Sequence, residues 1–96
     1  MNIVEDVTCG KAQLLDVRTK EEWKAGHATG AMHISVNNLL TGYVGDLDPD
    51  LPIYVYCATG ARAGTATSYL SRQGYQVSNI GGLSVWQKLG GAIERK

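Results

Sequence analysis

Ile53-Tyr-Val-Tyr-Cys57 is apolar at every position and runs directly into Ala58-Thr-Gly-Ala-Arg62. Pro52 introduces the run, and its β-branched and aromatic residues make it the strongest strand signal in the chain. A strand without a polar face must be covered on both sides, which fits the centre of a parallel sheet between helices better than a half-exposed antiparallel one. Toward the N-terminus, Leu14-Leu-Asp-Val17 is a second short strand, followed by Thr19-Lys-Glu-Glu22, a capping-box pattern opening a helix that Gly26 closes. After the turn residues His27-Ala-Thr-Gly30 come a short strand from Met32 to Ile34 and a helical turn or two from Val36 to Leu40; Asp46-Leu-Asp-Pro-Asp50 is loop. On the other side, Ala63, Ala66 and Leu70 fall at i, i+3 and i+7 and predict an amphipathic helix from Gly60 to Gln73, with Gly74 as its cap. A strand from Gln76 to Ile80, the pair Gly81-Gly82 and a closing helix from Leu83 to Leu89 complete the pattern. Strands alternating with helices predict an α/β fold, a doubly wound parallel sheet of about four to five short strands with helices on both faces.

Ninety-six residues suit a single domain spanning 1–96. Nine basic side chains balance nine acidic ones, so there is no net field to draw nucleic acid or anionic lipid, and neither is expected as a partner. No apolar run reaches bilayer-spanning length, and Met1-Asn-Ile-Val-Glu-Asp lacks the features of a secretory signal, so a cytoplasmic location is expected. The two cysteines, Cys9 and Cys57, form neither a disulfide framework nor a C-x-x-C pair, and no metal or cofactor is expected.

Cys57 is the residue with chemistry to explain. It stands at the carboxyl end of the central strand, where ligands of open α/β sheets bind, and immediately before a helix N-terminus, where free N–H groups and the positive end of the dipole collect. A thiol in that setting becomes more acidic than a free cysteine of pKa about 8.5 and is a ready nucleophile. Ala58, Thr59, Gly60 and Ala61 are small enough for the backbone to curl around the sulfur as an anion nest. Arg62 is the loop's only cation, and it either holds an anionic donor at the pocket mouth or pairs with an acid of the body. An inert, buried strand-end cysteine is the competing reading, and it would need neither the glycine nor the arginine. Other residues read as structural: Asp16 and Arg18 as an ion pair, His27 bonding local backbone, His33 structural or exposed, and Trp23 and Trp86 as core. Cys9 is not expected to join Cys57.

Five segments, in order, resemble the rhodanese family over nearly the whole chain: Leu14-Leu-Asp-Val-Arg18, Glu21-Glu-Trp-Lys-Ala-Gly-His27, Gly30-Ala-Met-His-Ile34, Tyr54-Val-Tyr-Cys57 and Gly81-Gly-Leu-Ser-Val-Trp86. The resemblance implies a sulfurtransferase that takes sulfane sulfur from thiosulfate or a persulfide donor onto Cys57 as a persulfide. The sulfur then passes to cyanide or another thiophilic acceptor, a small-molecule or protein thiol. The loop Ala58, Thr59, Gly60, Ala61 and Arg62 would bind the substrate. Only four residues separate Cys57 from Arg62, where cysteine phosphatases keep five, and the shorter loop resembles sulfur-handling rhodaneses rather than phosphatases or arsenate reductases. The alternatives are a sulfur-relay carrier acting with a protein partner and an inactive rhodanese-like binding module.

Overall fold

The computed structural model describes residues 2–95; Met1 and Lys96, the two ends of the unit expected over 1–96, lie outside the described residues. The elements are α1 (Ile3–Thr8), β1 (Gln13–Asp16), α2 (Lys20–Ala25), β2 (His27–Ala28), β3 (Met32–His33), α3 (Val36–Leu39), β4 (Ile53–Cys57), α4 (Ala61–Arg72), β5 (Val77–Gly82), α5 (Leu83–Lys88) and β6 (Ile93–Glu94). Four strands form a parallel sheet in the order β3-β1-β4-β5, and β2 and β6 pair antiparallel as a separate ribbon.

β4 is buried at all five positions because it is central and both of its faces are covered. Side chains alternate along a strand. Ile53, Val55 and Cys57 therefore join Leu15 and Val17 on one face, beneath Leu39 of α3 and Ala63, Ala66 and Leu70 of α4. Tyr54 and Tyr56 join Leu14 on the opposite face, against Trp86 of α5, Ala28, and the partly buried Ile3, Val4 and Val7 of α1. Ala63 and Ala66 have no exposed surface, and their small size brings α4 close to the sheet.

The expected doubly wound α/β architecture is the observed one, with differences at particular elements. α1 was not anticipated; its three apolar residues cover the sheet without any becoming fully buried, and Asn2 caps it by accepting the Glu5 N–H at 3.0 Å. Nor were β2 and β6, two-residue strands whose pairing depends on tertiary approach across the chain. β5 ends at Gly82 rather than Ile80: its ladder with β4 shifts register after Val55–Asn79, so that Tyr56 faces Gly81 and Cys57 faces Gly82. Such a bulge bends a strand and re-aims the residues beyond it. Trp86 lies in the core as expected, 2% exposed. Trp23 does not: it is half-buried on α2, a helix of six residues with no fully buried position.

Candidate active site

The strand order makes the site. From β1 the chain proceeds toward β3 on one side, and from β4 toward β5 on the other, so the connections diverge between the carboxyl ends of β1 and β4. In open α/β sheets that divergence opens a crevice. Cys57, the last residue of β4, stands on one side of it, with Asp16, Val17 and Arg18 at the end of β1 on the other.

The Cys57 side chain points to the α4 face and is fully buried, while Ala58, Thr59 and Ala61 form an exposed crest above it. Sγ accepts the Gly60 N–H at 3.0 Å and the Ala63 N–H at 3.4 Å. Gly60 is the N-cap of α4 and has φ +104°, a left-handed conformation that glycine reaches without strain, and this turns the chain around the sulfur. Burial pushes the Cys57 thiol up, but the N–H groups of Ala63, Gly60, Thr59 and Arg62 together outweigh it, and the thiol titrates below its ordinary value. The amides that reach the sulfur belong to Thr59, Gly60, Arg62 and Ala63, at the positive end of a twelve-residue helix.

Two residues that the sequence did not assign to the site, Asn79 and Gly82, hold the loop in this shape. Asn79 donates from Nδ2 to Gly60 O at 2.9 Å and accepts the Gly81 N–H at 2.8 Å, tying the loop to the bulge of β5. Gly82 packs so closely beneath Ala58 that a Cβ there would overlap the Ala58 carbonyl oxygen. Gly82→Ala is therefore expected to displace the loop, opening the 3.0 Å Gly60–Sγ contact, at a cost of about 1–3 kcal/mol of overpacking. Thiol reactivity at neutral pH, measured by alkylation rate, should fall while the far-ultraviolet spectrum stays native; an unchanged rate would show that the loop does not depend on this contact.

Arg62 takes the second of its two expected roles in this structure. Its Nη1 and Nη2 donate to Glu22 Oε1 and Oε2 at 2.7 and 3.0 Å, a paired-oxygen geometry. Glu22 also completes the capping box of α2: its Oε1 accepts the Thr19 N–H at 2.9 Å, and Thr19 Oγ1 accepts the Glu22 N–H at 3.2 Å. The cap thus aims the carboxylate at Arg62, which holds it down to about 2. From sequence, Glu22 was visible only as the cap, because its partner is forty residues away.

Beneath the crevice lies a buried polar network. Arg18 donates from Nε to Asp16 Oδ1 and Oδ2 at 3.1 and 3.0 Å, and from Nη2 to Asp16 Oδ2 at 2.7 Å and Gly26 O at 2.6 Å. The Tyr56 hydroxyl donates to Asp16 Oδ2 at 2.6 Å and accepts the Ala28 N–H at 3.0 Å. The expected structural pairing of Asp16 with Arg18 is therefore present, extended to β4 and β2 through Tyr56. His27 Nδ1 lies 3.0 Å from Trp23 O, the local backbone contact expected for it, and His33 Nε2 lies 2.8 Å from Arg18 O. Cys9 is exposed, Cys57 is buried, and both thiols are free.

A model of the rhodanese-like domain matches residues 3–89. This chain belongs to the rhodanese-like family. Solved rhodanese-like structures share its fold. The Rhodanese_3-like domain of an Anabaena sp. protein is 32% identical, with 88% of this chain and 93% of that one covered and a TM-score of 0.78. A rhodanese-related protein from Thermoplasma volcanium is 26% identical, covering 96% and 90% with a TM-score of 0.81. A rhodanese-like domain protein from Staphylococcus aureus is 29% identical, covering 88% and 81% at 0.74. Membership in this rhodanese-like family accords with a sulfurtransferase or sulfur-relay role. No helix among the described residues is long and apolar enough to cross a membrane.

Proposed function

We propose that this rhodanese-like chain, acting as one unit over 1–96, is a sulfurtransferase whose carrier is Cys57. The observation that carries the reading is the Cys57 sulfur itself, held against the Gly60 and Ala63 amides at the head of α4. Those donors stabilise a thiolate before transfer and an anionic persulfide after it. With thiosulfate as donor, the Cys57 thiolate attacks the sulfane sulfur, an S–S bond forms to Cys57, and the bond to the sulfonate sulfur breaks with its electron pair leaving as sulfite. A nucleophilic acceptor then attacks the outer sulfur and returns Cys57 as thiolate; cyanide leaves as thiocyanate. This is two-step covalent catalysis. Two free thiols and a chemistry that needs one of them reduced suit the cytoplasm.

One observation favours a persulfide donor or a protein thiol partner over free thiosulfate. Arg62, the loop's cation, is already neutralised by Glu22, so a dianionic donor meets less positive charge than the sequence alone suggests. A cleft of about 260 Å³ lined by Arg18, Glu22, Gly26, Leu83, Gln87 and Arg95 opens beside this pair. The test is to incubate the reduced protein with thiosulfate and, separately, with a glutathione persulfide, and to map added mass by peptide mass spectrometry. The expected result is one sulfur atom gained on Cys57, faster from the persulfide. If neither donor loads Cys57, the carrier reading is wrong; if thiosulfate loads it at least as fast, the Glu22 argument is wrong.

A further inference from the structure

A second cavity, of about 660 Å³, shares no lining residue with the Cys57 loop; Lys20, Trp23, Lys24, His27, His33 and Glu94 form most of its wall. The volume is that of a small-molecule site. Its floor is aromatic. Trp23 stacks on His27 with ring centroids 3.5 Å apart and planes 6° from parallel, and on His33 at 5.0 Å and 23°. Both imidazoles are fixed in orientation, because His27 Nδ1 and His33 Nε2 face the carbonyl oxygens of Trp23 and Arg18 and must carry protons to donate to them. The stack is thus preorganised, although Trp23 itself is only half-buried.

The polar groups left over in this cavity point to the kind of ligand. Lys20, Lys24 and the Trp23 indole N–H make no hydrogen bond or ion pair among the described residues, and all three are donors. The one acid of the wall, Glu94 on β6, is 3.5 Å from His27 Nε2 across the β2–β6 ribbon. Lys20 and Lys24 are one helical turn apart on α2, about 5–6 Å between Cβ atoms, and bracket the position of Trp23. Flat aromatic surface beside two unpaired ammonium groups matches a flat ring that carries negative charge.

We propose that this cavity binds a small planar aromatic anion, of the size and charge of a nucleoside monophosphate. The ring lies against the Trp23–His27–His33 stack and the phosphate between Lys20 and Lys24. The site is separate from sulfur transfer and does not require Cys57.

The probe is adenosine monophosphate, titrated into the full chain and followed by calorimetry and tryptophan fluorescence. The expected result is saturable binding with a Kd on the order of 0.1–1 mM and quenching of the Trp23 emission. Lys20→Gln/Lys24→Gln, a change confined to exposed side chains, is expected to weaken binding at least about tenfold, or 1.4 kcal/mol. Adenosine and inorganic phosphate should each bind at least about tenfold more weakly than the nucleotide, since each offers half of the contacts. Cys57→Ser is expected to leave the Kd unchanged, so a failure here is distinguishable from a failure of the sulfurtransferase reading. The proposal is overturned by no saturable binding up to about 10 mM, by an undiminished affinity in the double lysine variant, or by phosphate alone binding as tightly as the nucleotide.

Discussion

Replacing Cys57 by serine is expected to lower sulfur transfer by at least about a thousandfold, the scale on which enzymes lose activity when a covalent nucleophile is removed. A serine hydroxyl would occupy nearly the same volume and could accept the same Gly60 and Ala63 N–H groups. It could not carry sulfane sulfur, so the loss would come from chemistry and not from packing. The same side chain sets the pH profile of the wild type. Burial raises the thiol, and the amides of Ala63, Gly60, Thr59 and Arg62 lower it further than burial raises it. Since the thiolate is the reactive form, alkylation by iodoacetamide should accelerate with rising pH. It should reach its plateau below the range of a free cysteine, whose pKa is about 8.5. The linkage to stability has the matching sign: a group with a lowered folded pKa favours the native state above its unfolded pKa, and that contribution is lost as pH falls through the folded value. A serine variant retaining more than about a tenth of the activity would remove Cys57 from the carrier role, and an alkylation midpoint at or above the free-cysteine value would show that the loop does not activate it.

How far sequence reveals this fold depends on which interactions are local. Ile53 to Cys57 identified the central strand because burial on both faces removes every polar residue, and Ala63, Ala66 and Leu70 identified the buried stripe of α4 because helical spacing is visible within three turns. Thr19 and Glu22 identified a capping box, which spans four residues. Two of the elements overlooked depend on distant partners. β2 and β6 are two residues each and exist only through one another. Trp23 looked like core because large aromatics usually are; its helix is six residues long, has no fully buried position and leaves the ring half-buried. At the site, the curled loop was legible from its small residues, and α4 with its amides came with it. The Glu22–Arg62 pair and the Asn79 brace were not, since nothing local distinguishes a capping glutamate that also meets an arginine forty residues on.

The second large effect is expected at Asp16, which touches no substrate in the proposed mechanism. Its carboxylate is fully buried and accepts from the Arg18 backbone N–H at 2.9 Å, the Arg18 guanidinium and the Tyr56 hydroxyl. Arg18 in turn holds Gly26 O at the end of α2, and Tyr56 holds the Ala28 N–H of β2, so one carboxylate ties together β1, β4, α2 and β2 around the crevice. Asp16→Ala would leave an arginine side chain 8% exposed without its counter-charge. Breaking a buried pair in this way costs about 3–5 kcal/mol. At about 4–8 °C per kcal/mol for a domain of this size, Tm should fall by roughly 12–40 °C. Because total stability is only about 5–15 kcal/mol, the single variant could be partly unfolded, and a second variant keeps the comparison informative. Asp16→Leu/Arg18→Met removes both charges and substitutes apolar volume, which in buried pairs is often close to neutral. It should recover most of the lost Tm, leaving the smaller deficit, about 1 kcal/mol, of a Tyr56 hydroxyl without its acceptor. Tyr56→Phe in the double variant should then cost about 1–3 kcal/mol further, because the buried Ala28 N–H loses the hydroxyl that accepts it. An Asp16→Ala variant within about 1 kcal/mol of wild type would mean that the network does not hold these elements together. A double variant as unstable as the single one would mean that shape, and not the orphaned charge, is what Asp16 supplies.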